Sequence, residues 1–191
     1  MLRLLGLVVV SVAVSGLAPA VSVDVHGVTH AGGQPIADAV VWLDAPNAPR
    51  RAQPAEVVLD QRNMTFYPHV LVVQVGTVVK FPNDDRVFHD VFSFHDGQKF
   101  NLGLYPVGAV KNVKFDKPGL SRIFCNIHPQ MAAYVMVVDS PYFAVSDAGG
   151  RFTIPGVISE TYVSHAWRPG GATLTDSIVV GAGRPLQVVW P

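Results

Sequence analysis

The sequence contains a single cysteine, Cys125, among its 191 residues. A disulfide within the chain is therefore excluded, so the fold must be stabilised by packing, and the thiol requires another explanation. The chain also has no excess of either charge, with 14 Lys and Arg against 14 Asp and Glu. This balance offers no basic surface of the kind that nucleic acids bind, so we expect no nucleic-acid partner.

A helical period of apolar residues is absent after residue 20. Short runs rich in Val, Phe, Tyr and Thr instead alternate with clusters of Gly, Pro, Asn and Asp, a pattern typical of strands and turns. The predicted strands of the middle block span residues 70–75, 78–81, 88–94, 110–115, 121–125 and 133–139. The sequence therefore predicts an all-β protein built as a β-sandwich or small barrel.

The only long apolar run lies at the start of the chain. It covers residues 4–17, follows Arg3, and ends at Ala18-Pro19-Ala20, which has the form of a secretory cleavage site. We expect residues 1–20 to be a signal peptide and the mature protein to be periplasmic or extracellular, with no membrane span. The alternative is an uncleaved anchor, although the run is shorter than the ~20 apolar residues of a spanning helix.

The most informative segment is Phe124-Cys125-Asn126-Ile127-His128-Pro129-Gln130-Met131. It places a thiolate, an imidazole and a thioether three residues apart between two predicted strands. Blue copper sites use one Cys and two His in a trigonal plane, with a weak axial Met. Cys125, His128 and Met131 are therefore three candidate ligands of one copper ion.

The fourth ligand has to come from elsewhere in the sheet. His89 follows a polar loop and begins a predicted strand, so it is the preferred candidate, and His95 is the alternative. The remaining histidines belong to no comparable motif and are expected to be solvated or hydrogen-bonded. Asp84, Asp85 and Asp90 lack the spacing of a calcium loop and are expected to be solvated loop acids.

The pattern C-x-x-H-x-x-M, following a distant F-x-N-x-D and H-x-V, resembles the cupredoxin family over residues 56–139, with the ligand-loop spacing of amicyanins. It is also similar to plastocyanin-like proteins associated with methylamine utilisation. The resemblance implies a Greek-key β-sandwich that holds one type 1 copper ion through His89, Cys125, His128 and Met131. It further implies that Asn83 ties the first-histidine loop to the cysteine loop, and that the edge of His128 is the electron exit, flanked by Pro129, Ala132 and Ala133.

The segments on either side of this block resemble the two halves of a carboxypeptidase-regulatory-like, or transthyretin-like, β-sandwich. The resemblance rests on Gly33-Gln34-Pro35-Ile36-Ala37-Asp38-Ala39-Val40-Val41 and on Asp147-Ala148-Gly149-Gly150-Arg151-Phe152. It implies a discontinuous second sandwich, made of residues 21–53 and 140–191, with the cupredoxin domain of residues 54–139 inserted into it. Trp42, Trp167 and Trp190 are expected to pack in this second sandwich.

The predicted function is one-electron transfer between redox partner proteins by a monomeric, exported copper protein. Alternatives are copper binding and delivery, or a partner-binding sandwich in which copper is structural. Copper enzymes often add a second copper site held by H-x-H pairs, and no two histidines here are two residues apart. We therefore expect no catalytic residues and no cofactor other than copper.

Overall fold

A computed structural model of the chain describes residues 21–45, 47–50, 52, 56–94, 96–181 and 184–191. The regular elements within these residues are strands, which confirms the predicted all-β class. In the same residues the chain forms no helix with the length and apolar character needed to cross a bilayer. The predicted signal peptide (residues 1–20) and the alternative ligand His95 lie outside the described residues.

The strands fall into three consecutive groups along the chain. The first group is β1 (Ser22–Ala31), β2 (Gln34–Pro35) and β3 (Val40–Leu43). The middle group is β4 (Val57–Val58), β5 (Asp60–Arg62), β6 (Thr65–Tyr67), β7 (Val70–Gln74), β8 (Thr77–Pro82), β9 (His89–Ser93), β10 (Phe100–Tyr105), β11 (Val110–Phe115), β12 (Gly119–Cys125) and β13 (Ala132–Val138). The last group is β14 (Phe143–Val145), β15 (Arg151–Ile158), β16 (Thr161–Trp167), β17 (Leu174–Val179) and β18 (Leu186–Trp190).

The middle group forms a sandwich. One sheet has the strand order β10-β9-β12-β13-β7 and the other has the order β11-β8-β4, while β5 and β6 form a separate hairpin. Inward side chains of both sheets, including Val79, Phe81, Phe115, Ile123 and Val135, make one buried core. This core follows from the period of two in the strands, because alternate residues of β8 and β12 are buried.

The first and last groups together form a second sandwich. Its sheets have the orders β15-β1-β18 and β14-β3-β16-β17, so each contains strands from both ends of the described chain. The turn before β15 explains one of its sequence motifs, because the Asp147 carboxylate accepts hydrogen bonds from the backbone N–H groups of Gly149 and Arg151. Gly150 has a φ of 73°, and a Cβ there would lie 2.5 Å from the Thr29 carbonyl oxygen. Only glycine fits this turn without strain.

The two sandwiches pack on each other through a separate hydrophobic cluster. It contains Val40 and Trp167 from the second sandwich and Val70, Met136 and Val138 from the middle one. Trp42 packs against this cluster, while Trp190 lies in the core of the second sandwich. Trp42 and Trp167 thus belong to the second sandwich, as expected, but pack at its contact with the middle one.

The arrangement of the strands is that of a discontinuous second sandwich into which the middle one is inserted. The domain boundaries at residues 53/54 and 139/140 remain predictions. Residues 53–55 lie outside the described part of the chain.

Candidate metal centre

Two neighbouring strands bring His89 and Cys125 to the same end of the middle sandwich. His89 is the first residue of β9 and Cys125 is the last residue of β12, and these strands are antiparallel with Cys125 opposite Val91. Residues paired across a ladder share a face, and His89 is two residues from Val91, so both side chains point into the sandwich. His89 is fully buried and Cys125 is 4% exposed.

The loop between β12 and β13 supplies the other two predicted ligands. His128 and Met131 close a turn in which the Met131 N–H donates to the His128 carbonyl at 2.9 Å, and Pro129 takes the second position, which proline favours. The turn leaves His128 half-buried. Met131 is 1% exposed and packs in the same core cluster as Cys125.

Three side-chain atoms converge at this end of the sandwich. Cys125 Sγ lies 3.7 Å from His89 Nδ1 and 3.6 Å from His128 Nδ1, and the two Nδ1 atoms are 3.2 Å apart. Geometry then places a point equidistant from all three atoms at about 2 Å from each, close to the length of a bond between a first-row transition metal and imidazole nitrogen. This donor set and spacing fit a metal ion, and the described residues contain no other such cluster of three His, Cys, Asp or Glu side chains.

The second ring nitrogen of His89 faces a carboxylate. His89 Nε2 lies 3.2 Å from Asp85 Oδ2, so an Nε2–H donating to Asp85 leaves the Nδ1 lone pair free to face Cys125 and His128. Outer carboxylates that fix the tautomer and the ring orientation of a ligating histidine are common in metal sites. Asp85 therefore belongs to the candidate site, and the sequence analysis did not identify it.

The protein environment keeps Asp85 ionised and His89 neutral. Burial raises the pKa of Asp85, but hydrogen bonds from the backbone N–H groups of Met64 and Arg86, together with His89, lower it below 3.8 overall. Burial lowers the pKa of His89, and the nearby His128 lowers it further, against the opposing effect of Asp85. Both shifts favour the protonation states that metal binding requires.

Asn83 has different partners from those expected. Its amide nitrogen donates to the carbonyls of Val87 at 2.9 Å and Tyr105 at 3.3 Å, and its side-chain oxygen accepts from the Asp85 N–H. Asn83 is fully buried and organises the loop that carries Asp85. It thus shapes the first-histidine loop and its contact with β10, rather than tying that loop to the cysteine loop.

The tie between the two ligand elements is made by the residues that directly follow His89 and Cys125. The Asn126 N–H donates to the Asp90 carbonyl at 2.8 Å, and Asn126 Nδ2 donates to Asp90 Oδ2 at 3.2 Å. In the sequence, the only indication that Asp90 and Asn126 join these elements is that each directly follows a predicted ligand.

The expectation that the acids near His89 are solvated holds for Asp84 and is wrong for Asp85. Asp84 is exposed, whereas the Asp85 side chain is 9% exposed because it lies over His89. Asp90 is half-buried, and its Oδ1 is inaccessible to solvent. Asp85 and Asp90 therefore form part of the structure around the candidate metal centre.

A buried network of hydrogen bonds lies next to His89. The Tyr105 hydroxyl donates to Gln61 Oε1 at 2.8 Å, and Gln61 Nε2 donates to the Pro82 carbonyl at 2.8 Å. Burial raises the pKa of Tyr105, so its phenol stays protonated as the donor. Because Tyr105 lies opposite His89 in the β9–β10 pair, this network links the β5–β6 hairpin to the strand that carries a predicted ligand.

Apolar side chains are exposed in the loops at the metal end. Phe88 is 50% exposed, Val107 is 52% exposed and Ile127, which precedes His128, is 46% exposed. Pro129 is exposed and Ala132 half-buried, as a flank of His128 requires, whereas Ala133 is 1% exposed and points into the core. The expectation that Ala133 flanks the surface at His128 is therefore wrong.

Comparison with protein families gives one match, which begins in β13 of the middle sandwich and covers most of the C-terminal part of the second sandwich. The family model described as polysaccharide lyase family 4, domain II, matches residues 134–188. A search of curated proteins finds no match to the chain.

Solved structures similar to this chain include several cupredoxins. A purple cupredoxin from Nitrosopumilus maritimus is 25% identical over 44% of this chain and 100% of that chain, with a TM-score of 0.41. A Cu-containing nitrite reductase from Thermus scotoductus SA-01 is 25% identical with a TM-score of 0.43, and the match covers 58% of this chain but 28% of that enzyme. An oxidised amicyanin variant is 19% identical over 53% of this chain and 99% of that chain, with a TM-score of 0.42.

The fold assignment rests on the strands and on the site itself. Two facing sheets enclose one core, the end of β12 adjoins the start of β9, and a His-Cys-His cluster closes that end. The middle segment of this chain, from β4 to β13, is a two-sheet β-sandwich with a His-Cys-His cluster at one end, which agrees with the predicted cupredoxin fold.

Proposed function

We propose that this protein binds one copper ion through His89 Nδ1, Cys125 Sγ, His128 Nδ1 and the thioether of Met131, and that it carries single electrons between redox partner proteins. The observation that carries the proposal is the convergence of the first three atoms, with separations of 3.2–3.7 Å. A soft thiolate with two imidazoles selects copper over the hard cations that oxygen ligands bind.

Met131 is proposed as the weak axial ligand. It is buried in the same core cluster as Cys125, and its backbone N–H donates to the His128 carbonyl, so the loop keeps it at the same end of the sandwich. When bound, copper supplies the one-electron couple between Cu(II) and Cu(I). The chain's contribution is to hold the ligands in one arrangement for both oxidation states.

Several contacts keep that arrangement fixed. The Asp85 carboxylate holds the His89 ring, the pairing of Asp90 with Asn126 joins the two ligand elements, and strand pairing fixes the backbone of Cys125. A site that is already in place before an electron arrives needs little rearrangement, which favours rapid transfer. These contacts support a carrier with a permanently held ion over a delivery protein, which has to release its metal.

The proposed route for electrons is the exposed edge of His128. Its ring is half-buried, and exposed apolar residues from three loops, including Phe88, Val107 and Ile127, lie at the same end. Such a surface suits brief docking with a redox partner, because apolar contacts form without strong charge pairing. The proposal includes an exported protein, as the N-terminal sequence predicts, and no catalytic residue.

The test is the optical and electron paramagnetic resonance spectrum of the purified protein after addition of Cu(II). An intense visible band from thiolate to copper, with a narrow copper hyperfine splitting, is expected in the wild type and should be lost in Cys125→Ser. A His165→Gln variant is the matched control, since His165 lies in the second sandwich, bonded to Asp44 and Thr175, and should leave the spectrum unchanged. A colourless wild-type protein would refute the proposal.

A further inference from the structure

The backbone carbonyl and the carboxylate of Asp90 both bond to the residue that follows Cys125. Asp90 follows His89 directly, and both its backbone carbonyl and its Oδ2 accept hydrogen bonds from Asn126, which follows Cys125. The negative charge of Asp90 thus lies next to the backbone of two proposed ligands.

The other carboxylate oxygen of Asp90 has no such partner. Oδ1 is inaccessible to solvent and makes no hydrogen bond within the described residues. A buried charged oxygen without hydrogen bonds is costly, and positive charge nearby is what usually offsets that cost. The arrangement is therefore most favourable when the neighbouring site itself carries positive charge.

The charge of the proposed copper site depends on its oxidation state. With one thiolate and two neutral imidazoles, the site has one net positive charge as Cu(II) and none as Cu(I). A fixed anion near the ligand backbone stabilises the state with the greater positive charge, and protein surroundings screen this attraction less than water does.

We propose that Asp90 tunes the metal centre, and that its charge lowers the reduction potential by stabilising Cu(II) over Cu(I). This inference rests on the proposed function, because it concerns the same copper site. Asp90 does not touch the ion and acts through its charge alone.

The test compares the midpoint potentials of two variants with that of the copper-loaded wild type. Asp90→Asn removes the charge but keeps an oxygen that can accept from Asn126 Nδ2. It is expected to shift the equilibrium about tenfold towards Cu(I), which is about 59 mV upward for a one-electron couple. Asn126→Ala keeps the charge and removes the side-chain hydrogen bond, and its potential should move much less.

Asp116→Asn is the matched control for loss of one negative charge. Asp116 is exposed and follows β11 at the end opposite the metal loops, where Phe115 pairs with Thr77. Its potential should stay at the wild-type value. Thermal unfolding of each variant shows that it is folded, and Asp90→Ser replaces Asp90→Asn if the latter does not fold.

Three results would overturn the inference. The first is an Asp90→Asn potential that is unchanged or lower while the blue spectrum is retained. The second is an Asn126→Ala shift as large as that of Asp90→Asn, which would assign the effect to the hydrogen bond. The third is a wild-type protein without the blue copper band. Only this last result also refutes the proposed function, so the two failures are distinguishable.

Discussion

Asp85 Oδ2 lies 3.2 Å from His89 Nε2 and accepts, in addition, the backbone N–H of Met64. One carboxylate thus joins the tip of the β5–β6 hairpin to a proposed copper ligand. Because this carboxylate fixes which nitrogen of His89 carries the proton, it prepares the opposite nitrogen for a metal.

Replacement of this carboxylate should weaken copper binding. We expect Asp85→Ala to lower the affinity for copper by about 10- to 100-fold, as is typical when an outer partner of a ligating histidine is lost. Competition with a chelator of known affinity measures the effect. Asp84→Ala, one residue away and exposed, is the control. Equal affinities for the two variants would contradict the role of Asp85.

Asp60 should make stability depend on pH. It is 7% exposed, and burial, followed by the negative charge of Asp84, raises its pKa above 3.8. Because its pKa is higher in the folded than in the unfolded state, the folded protein is penalised at neutral pH, and the penalty fades as pH falls through the folded pKa.

Asp60→Asn should therefore raise the midpoint of thermal unfolding by a few degrees at pH 7 in the metal-free protein. The gain over wild type should shrink as the pH falls through the raised pKa of Asp60, because the wild-type carboxyl then becomes protonated. Thermal scans with a chelator present measure both, with Asp116→Asn as the exposed control. A destabilised Asp60→Asn protein at pH 7 would show that the ion pair of Asp60 with Arg62, at 3.0 Å, outweighs the burial.

The apolar surface around His128 should control electron exchange between copies of the protein. We expect Val107→Lys to slow electron self-exchange by about tenfold or more, because two like charges then meet in the encounter complex. Added salt should restore part of the rate. The visible spectrum should not change, since the side chain is exposed.

Val78→Lys provides the comparison for that experiment. Val78 is 49% exposed and lies on β8 opposite Lys114, away from the metal loops. Its self-exchange rate should match the wild type. If Val107→Lys and Val78→Lys exchange at the same rate, electrons leave by another route.

The contact between the sandwiches should contribute much of the stability. Trp167 is 7% exposed, and its ring meets that of Tyr134 edge to face at 5.2 Å. Trp167→Ala is expected to lower the free energy of unfolding by about 3–5 kcal/mol, as for other buried aromatic residues. Denaturant titration measures it, and Val163→Ala, an exposed change on the same strand, should cost far less. A loss below about 1 kcal/mol for Trp167→Ala would contradict this contact's importance.

Three of the four proposed ligands could be identified easily because they lie within seven positions of the sequence. Their spacing alone brings them to one loop, and His89 could be added because it begins a strand after a polar loop. Strand β11 was predicted with its observed bounds, since Val110–Phe115 is flanked by clear turn signals.

Other features of the structure could not be predicted from the sequence. The β5–β6 hairpin consists of short, polar strands joined at Asn63 and Met64, which both have positive φ although neither is glycine. Strand β10 contains Gly103 at an irregularity in its pairing, which interrupts the alternation that would reveal it. The contact of Asp85 with His89 depends on how the loop before β9 folds, and the contact of Asp90 with Asn126 depends on the pairing of β9 with β12. Linear spacing encodes neither contact.

The insertion of the middle sandwich between β3 and β14 has a mechanical consequence. These two strands are hydrogen-bonded neighbours, with Phe143 opposite Trp42, so the chain leaves and re-enters the second sandwich at adjacent points. A segment held at both ends, and packed through Trp167, cannot swivel as a domain on a single linker would. The second sandwich therefore limits the directions in which the loops of the candidate metal centre can face.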